Sequence, residues 1–316
     1  MLYHKTIGNI LVIGDVMLDV FIEGRVDRIS PEAPVPVFLT ETRNIYPGGA
    51  ANVANNICCM GGGSSLIGVV GNEEDSKIFD TSFHPHILDS YLFVDTDRPS
   101  TVKTRFIANG QQIVRVDSET SNPIPAEIEN AIINQVDVMI NRISLIVISD
   151  YAKGVLTDRV LNAILKIANN NKVQVIVDPK SRDFMRYSGA WILKPNTAEL
   201  HAATGMDTSS VEGIQAACAR VMEFLSVEYM LVTRAEHGML LVNRNKVTNI
   251  PSAKRQVFDV VGAGDTALAT LAVFISEGGS VVDSCYAANY AAGIAVQKHG
   301  TSVVTREELE NDFVRA

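Results

Sequence analysis

Cysteine is scarce, with four residues in 316: Cys58, Cys59, Cys218 and Cys285. None forms C-x-x-C, and the adjacent pair suits neither a disulfide nor a zinc site. Small buried hydrophobes in a reducing compartment are therefore expected. Histidine is nearly as sparse, and only His84-Pro85-His86 brings two together. No carboxylate or cysteine cluster surrounds that pair, so it reads as a solvated loop rather than a metal site. Long apolar runs are missing. The first, residues 10–13, stops at Gly14-Asp15, too short for the core of a secretion signal. Nothing approaches the roughly 20 apolar residues of a membrane span. A soluble, cytoplasmic protein with no membrane partner is expected. Positive charge is in deficit, 27 Lys and Arg against 36 Asp and Glu, for a net charge of −9. That balance disfavours nucleic acid as a partner. Two fingerprints are absent as well. No G-x-G-x-x-G follows the first strand, against a dinucleotide-binding oxidoreductase, and no G-x-x-x-x-G-K-[ST] marks a P-loop.

What is present is an apolar fraction of 47% on a chain long enough to bury a large core. Short β-branched runs occupy residues 10–13, 66–70, 145–148, 173–177, 191–193 and 230–232. Runs apolar on successive residues suit strands covered on both faces. Between them apolar residues recur at helical spacing: Ile128, Ile132, Ile133, Val136 and Ile140, then Leu156, Val160, Leu161, Ile164, Leu165 and Ala168. Thr157 and Asp158 stand where a cap belongs. Alternation of this kind predicts an α/β fold, a doubly wound and mostly parallel sheet with helices on both faces. Two Ala-rich helices are expected at about 263–277 and 280–299. Residues 20–45 and 91–117 instead alternate apolar with polar, which predicts antiparallel strands. We read them as one small β-sheet on a single domain spanning 1–316, serving as a lid or a dimer surface.

Polar turns marked by Gly or Pro follow the strands, and each has a chemical and a structural reading. In Asp259-Val260-Val261-Gly262-Ala263-Gly264-Asp265-Thr266, two glycines turn free N–H groups toward one point at a helix N-terminus, which attracts an anion. Asp265 there suits a base that takes a hydroxyl proton while the nest steadies a phosphoryl group. A plain Gly-rich turn is the alternative. Gly48, Gly49 and Asn52 in Pro47-Gly48-Gly49-Ala50-Ala51-Asn52 allow close backbone approach and offer an amide to hydroxyls, or simply turn strand into helix. Asp15 and Asp19 follow the first strand, where open α/β sheets place ligands. They suit sugar hydroxyls, a cation or helix capping. Asn196 and Glu199, three apart on one helix face, are oxygen donors for Mg²⁺ or a capping box. Lys153 and Lys180, each in a turn after a strand, are point charges for phosphates or solvated surface.

Gly48-Gly49-Ala50-Ala51-Asn52, with Asp259 and Gly262-Ala263-Gly264-Asp265 roughly 210 residues on, resembles the ribokinase (carbohydrate kinase, PfkB-type) family. The resemblance spans about residues 8–312. The segment Arg28-Ile29-Ser30-Pro31-Glu32-Ala33-Pro34-Val35-Pro36-Val37 is most like the family's heptose-phosphate kinases. Also similar are Gln111-Gln112-Ile113-Val114-Arg115-Val116-Asp117, residues 149–154 and Asp178-Pro179-Lys180. The resemblance implies ATP as donor, Mg²⁺, and a ribokinase-like domain with a β lid that often pairs two copies, here a homodimer. By position it implies Asp265 as base, with Gly262, Ala263 and Gly264 as anion hole. It implies Asn196 and Glu199 for hydrated Mg²⁺ and phosphates. Thr233, Gly238, Asn289 and Lys180 would serve the nucleotide, and Asp15, Asp19, Gly48, Gly49 and Asn52 the sugar. Arg28, Lys103, Arg105 and Lys153 are the cations on the right segments for an acceptor phosphate. The implied reaction is phosphorylation of the 1-hydroxyl of D-glycero-β-D-manno-heptose 7-phosphate to the 1,7-bisphosphate, toward ADP-heptose for lipopolysaccharide core. Fructose 1-phosphate, ribose or a nucleoside is the alternative acceptor. Two departures stand out. The stretch from Gly71 to Thr101 is shorter than usual. The adenylyltransferase to which many relatives are fused is not within these 316 residues, so that activity is expected from another protein or a longer chain.

Overall fold

Residues 10–13 are wholly buried, which requires cover on both faces of their strand. The computed structural model, which describes residues 8–82, 87–252, 255–298, 300 and 303–315, supplies it. The chain begins with β1 (Asn9–Gly14), β2 (Val16–Ile29), β3 (Pro36–Gly49), α1 (Ala50–Cys59), β4 (Gly63–Val70), α2 (Glu73–Ser82) and β5 (Ile87–Val94). A hairpin, β6 (Thr101–Ala108) and β7 (Gln111–Ser118), precedes α3 (Ala126–Met139), β8 (Ile143–Ser149), α4 (Asp158–Asn170), β9 (Gln174–Asp178) and β10 (Ile192–Leu193). Then come α5 (Thr197–Thr204), α6 (Val211–Phe224), β11 (Tyr229–Thr233), β12 (Met239–Val242) and β13 (Val247–Ile250). Three helices close the chain: α7 (Ala263–Ser276), α8 (Val281–Ala295) and α9 (Arg306–Arg315).

Among the described residues the strands form two sheets. The larger has nine strands ordered β13-β12-β11-β10-β9-β8-β1-β4-β5, all parallel except β12, which runs antiparallel to both its neighbours. Side chains alternate across it. Ile10 and Val12 point into a core shared with α1, α7 and α8, while Leu11 and Ile13 point into one shared with α3, α4 and α6. The expected ribokinase-like, doubly wound sheet is present. The two Ala-rich helices also appear, α7 nearly all buried from Asp265 to Phe274. The Thr157 side chain caps α4 by accepting from the Val160 N–H at 3.2 Å. Cys58, Cys218 and Cys285 are buried and Cys59 half-buried, all free thiols.

The smaller sheet, β3-β2-β6-β7, differs from expectation in three ways. Its long hairpin runs from Val16 to Gly49, not 20–45, and its root, Val16 to Phe21, is buried. Residues 87–94 do not belong to it: β5 pairs in parallel with β4 at the edge of the main sheet. Its end, Tyr91 to Val94, is apolar on successive residues, the pattern of a main-sheet strand, and the alternating part of the insert begins only at Thr101. Finally, β2 and β6 run parallel, not antiparallel. Every residue of β7 is exposed, on both faces. His84-Pro85-His86 lies outside the described residues.

Candidate active site

The turns after β1, β8, β9, β10 and β11 all leave the same edge of the main sheet, because those strands are parallel. The chain winds outward from β1 in both directions, to β4 and to β8, and such a switch point opens a crevice beyond the strand ends. The N-termini of α1 and α7 face it. Gly49, with φ +57°, is the cap residue of α1, and a Cβ on Gly48 would stand 2.4 Å from the Asp19 carboxylate, so the double glycine is required there. Gly262, with φ +79°, starts α7 in the same left-handed manner. At the first turn of α7 the Ala263 N–H makes only a long bond to the Val260 carbonyl, at 3.4 Å, and the Gly264 N–H has no intrahelical acceptor. A Cβ placed on Gly264 would meet nothing within 4 Å, so the space before this terminus is open.

Asp265 occupies the first turn of α7 and is 5% exposed. The Asn52 side-chain amide donates to its Oδ2 at 2.8 Å, and the Tyr151 hydroxyl donates to its Oδ1 at 2.7 Å. Burial pushes the carboxyl up to about 6, while those two hydrogen bonds limit the rise. Burial and the nearby Asp265 charge hold the Tyr151 phenol well above its ordinary value, so it keeps its proton and donates. Sequence reasoning passed over Tyr151 and Lys194, along with Asp150 and Asp178, which also line the cleft. Lys194 is buried, and its ammonium lies 2.9 Å from Asp178, which burial pushes upward against that attraction. Tyr151 lies within 149–154 and Lys194 directly follows the apolar run 191–193; a lysine on a strand end gives no sign of burial until its neighbours are known. Together with Asp150, Lys180, Asn196, Glu199, Thr233, Gly262, Gly264 and Asp265, they line a cleft of about 200 Å³.

The remaining predicted residues distribute as follows. Asn196 and Glu199 form a complete capping box at 2.8 and 2.9 Å, and Lys180 donates to Glu199 at 3.0 Å. Gly238 closes the β11–β12 turn, and Asn289 donates to the Pro251 carbonyl at 2.9 Å. Asp15 is buried, with its oxygens taken by the N–H groups of Tyr151, Lys153 and Val155. It fastens the turn that carries Tyr151, a structural part beyond the sugar contact expected of it. Burial and the nearby Asp150 push it up to about 6. Asp19 pairs with Arg105 at 2.5 Å, and Lys103 stands in register with Asp19 on the same face. Lys153 pairs with Glu119 at 2.7 Å. Arg28 is not brought here: it lies nine residues beyond Asp19 along β2, roughly 30 Å at the usual strand rise. The expected cluster of bare cations is therefore a set of cations each matched to a carboxylate, with Arg28 outside it and Lys103 alongside.

A carboxylate poised to take a proton beside an anion-holding helix terminus is what phosphoryl transfer to a hydroxyl requires, and a sugar kinase is the class this fold and site define. The chain belongs to the pfkB family of carbohydrate kinases, whose family model matches residues 8–308. It is 46% identical over 313 residues to "Bifunctional protein HldE" of Azorhizobium caulinodans, covering 98% of this chain and 65% of that one. A Pelobacter propionicus protein of the same name is 41% identical, covering 96% and 63%. The chain thus spans under two-thirds of the length of these relatives. Among solved structures, Escherichia coli phosphofructokinase-2 in complex with potassium superposes with a TM-score of 0.80 at 18% identity, covering 98% of this chain and 99% of that one. Arabidopsis thaliana ribokinase complexed with ribose and ATP gives 0.73 at 20%, covering 97% and 98%. Among the described residues no helix is long and apolar enough to cross a membrane.

Proposed function

We propose that the chain transfers the γ-phosphoryl group of ATP to the 1-hydroxyl of D-glycero-β-D-manno-heptose 7-phosphate. The observation that carries the chemistry is Asp265, held by Asn52 and Tyr151 at the head of α7. The acceptor rests on the likeness to HldE proteins and on the segment from Arg28 to Val37. Asp265 takes the hydroxyl proton as the oxygen attacks phosphorus. Gly262, Ala263 and Gly264 offer N–H groups to the charge spreading over the phosphoryl oxygens. Lys194 adds a fixed positive charge on the cleft wall. Asp19, Gly48, Gly49 and Asn52 orient the sugar, while Arg105, Lys103 and Lys153 serve its existing phosphate. Thr233, Gly238, Asn289 and Lys180 serve the nucleotide.

Asn196 and Glu199 are hard oxygen donors, and each Glu199 oxygen keeps a lone pair beyond its bond to Lys180 or to the Asn196 N–H. Among the described residues no group of three or more His, Cys, Asp or Glu forms a protein-only metal cage. A donor set of one or two oxygens completed by water and phosphates is the habit of Mg²⁺. When bound, that cation would neutralise charge on the phosphates.

Two further parts belong to this reading. The exposed Ile113, Val114 and Val116 on β7 support pairing of two copies through the small sheet. Conversion of the product to a nucleotide sugar falls to an adenylyltransferase, on another protein or on more of this one. The deciding experiment is a coupled ATP assay against heptose 7-phosphate anomers, fructose 1-phosphate, ribose and nucleosides. Turnover confined to the heptose phosphate supports the reading; a strong preference for any other acceptor overturns it.

A further inference from the structure

Asn52 can face Asp265 in two ways. Its amide oxygen and nitrogen are nearly the same size, so rotating the group by half a turn exchanges a donor for an acceptor at almost no steric cost. Only one orientation suits an ionised carboxylate. With the NH₂ toward Asp265, the carboxylate accepts. With the oxygen toward it, the carboxyl must keep a proton to donate, and a protonated carboxyl is no base.

The choice is made one helical turn away. Asn56, on α1 and 0% exposed, donates from Nδ2 to the Asn52 side-chain oxygen at 2.9 Å and to the Asn52 backbone carbonyl at 3.0 Å. A backbone carbonyl only accepts, so it fixes which end of the Asn56 amide faces Asn52. The other end is satisfied too: Asn56 Oδ1 accepts from the Thr266 hydroxyl at 3.1 Å. Direction is thus imposed from an unambiguous acceptor, through Asn56 and Asn52, onto Asp265 Oδ2. Both ends of each amide in this buried row are engaged, which makes a reversal of either one costly.

We propose that Asn56 is a positioning residue for phosphoryl transfer: it locks the Asn52 amide with its NH₂ toward Asp265 and so keeps that carboxylate an acceptor. Asn56 touches no reacting atom and acts only through Asn52. The inference rests on the reading of Asp265 as the base. Other groups also face Asp265: Tyr151 from the β8 turn, Asp178 from β9 and Lys194 after β10. Farther along the cleft stand Asp150, Lys180 and Glu199. None of them is altered by exchanging Asn56, so its contribution separates from theirs.

The test has two readouts. The first is the carboxyl ¹³C titration of Asp265, assigned by its loss in Asp265→Asn, which needs no substrate. In Asn56→Leu, which removes the donor at similar volume, the Asp265 midpoint moves up by about one pH unit, because Asn52 is free to reverse. In Asn56→Asp, whose oxygens only accept when ionised, it moves further. In an Asn52→Ala background Asn56→Leu moves it no more, since the intermediary is gone. The second readout is kcat against pH with the acceptor that the wild type uses. The acid limb of Asn56→Leu moves up by the same amount, while the alkaline plateau stays within about twofold and KM for ATP holds, so the loss is one of ionised base. Should the leucine variant fail to fold, Asn56→Ala carries the same measurements. An Asp265 midpoint unmoved in a folded Asn56 variant overturns the proposal, as does a shift that persists without Asn52. A wild type inactive on every acceptor overturns the kinase reading alone, because the titration still reports on Asn56.

Discussion

At the scale of single residues, the proposed mechanism depends on one carboxyl, that of Asp265, which burial pushes up to about 6. Asp265→Asn keeps the shape and removes the base. Its kcat is expected to fall by about 10²–10⁴ with little change in KM, checked by steady-state kinetics at saturating ATP. In the wild type kcat should fall about tenfold per pH unit below about 6, because Asp265 must be ionised to work. The stability effect has the opposite sense. A carboxyl raised from 3.8 to about 6 by folding stabilises the native state fully only below its unfolded value. That contribution is lost as pH rises through about 6. The uncharged asparagine variant should therefore gain on the wild type by about 2 kcal/mol between pH 4 and pH 7, measured by denaturant unfolding at both. Asp265, Asn52 and the glycines beside them were legible in the sequence as two Gly-marked turns, and the structure brings the two turns together through the Asn52–Asp265 hydrogen bond. The part of Asp15 was not. A carboxylate after a strand looks the same whether it faces a ligand or fastens a turn, and only the three N–H groups converging on it distinguish the two.

At the scale of elements, helix α7 combines two demands that conflict at Gly264. Inside a helix, alanine is favoured over glycine by about 0.5–1 kcal/mol, and a Cβ here would meet no protein atom. Gly264→Ala should thus raise Tm while lowering kcat/KM for ATP, since the added methyl occupies space before the N–H groups. Calorimetry and kinetics on one preparation check both; a variant with unchanged kinetics would count against α7 as the anion site. Strands buried on both faces were the most legible elements, being continuous apolar runs bounded by turns. β5 misled because Asp89 and Ser90 interrupt it, leaving an apolar run of only four residues, Tyr91 to Val94, next to the alternating strand that follows. The β12–β13 hairpin went unread because its strands have only four residues each. The length of the β2–β3 hairpin escaped as well, since its buried root reads as a core strand and only its outer half alternates.

At the scale of the whole molecule, the small sheet is the least finished part of a single chain. β7 exposes all eight residues, three of them large and apolar, where one covered face was expected. The sequence pattern of β7 showed the strand and could not show what covers it, because cover from a second chain leaves no local trace. If two copies pair there, Ile113→Glu combined with Val116→Glu should halve the mass measured by light scattering. Catalysis would then fall chiefly through KM for the acceptor, since Asp19 and Arg105 stand on the same sheet.

The hydrogen bond from Asn52 to Asp265 joins residues 213 positions apart, and α1 packs directly on α7. Protein synthesis runs from the N-terminus, so α1 leaves the ribosome long before its partner exists. Until α7 follows, the face that α1 turns toward it has no cover, with Asn52 and Asn56 wet beside it. A stalled or truncated nascent chain would expose that face and be inert, a natural target for chaperones. The site therefore reports on completion of the fold: a shortened product lacking α7 lacks Asp265 and the helix terminus beside it, and with them the proposed base and anion site.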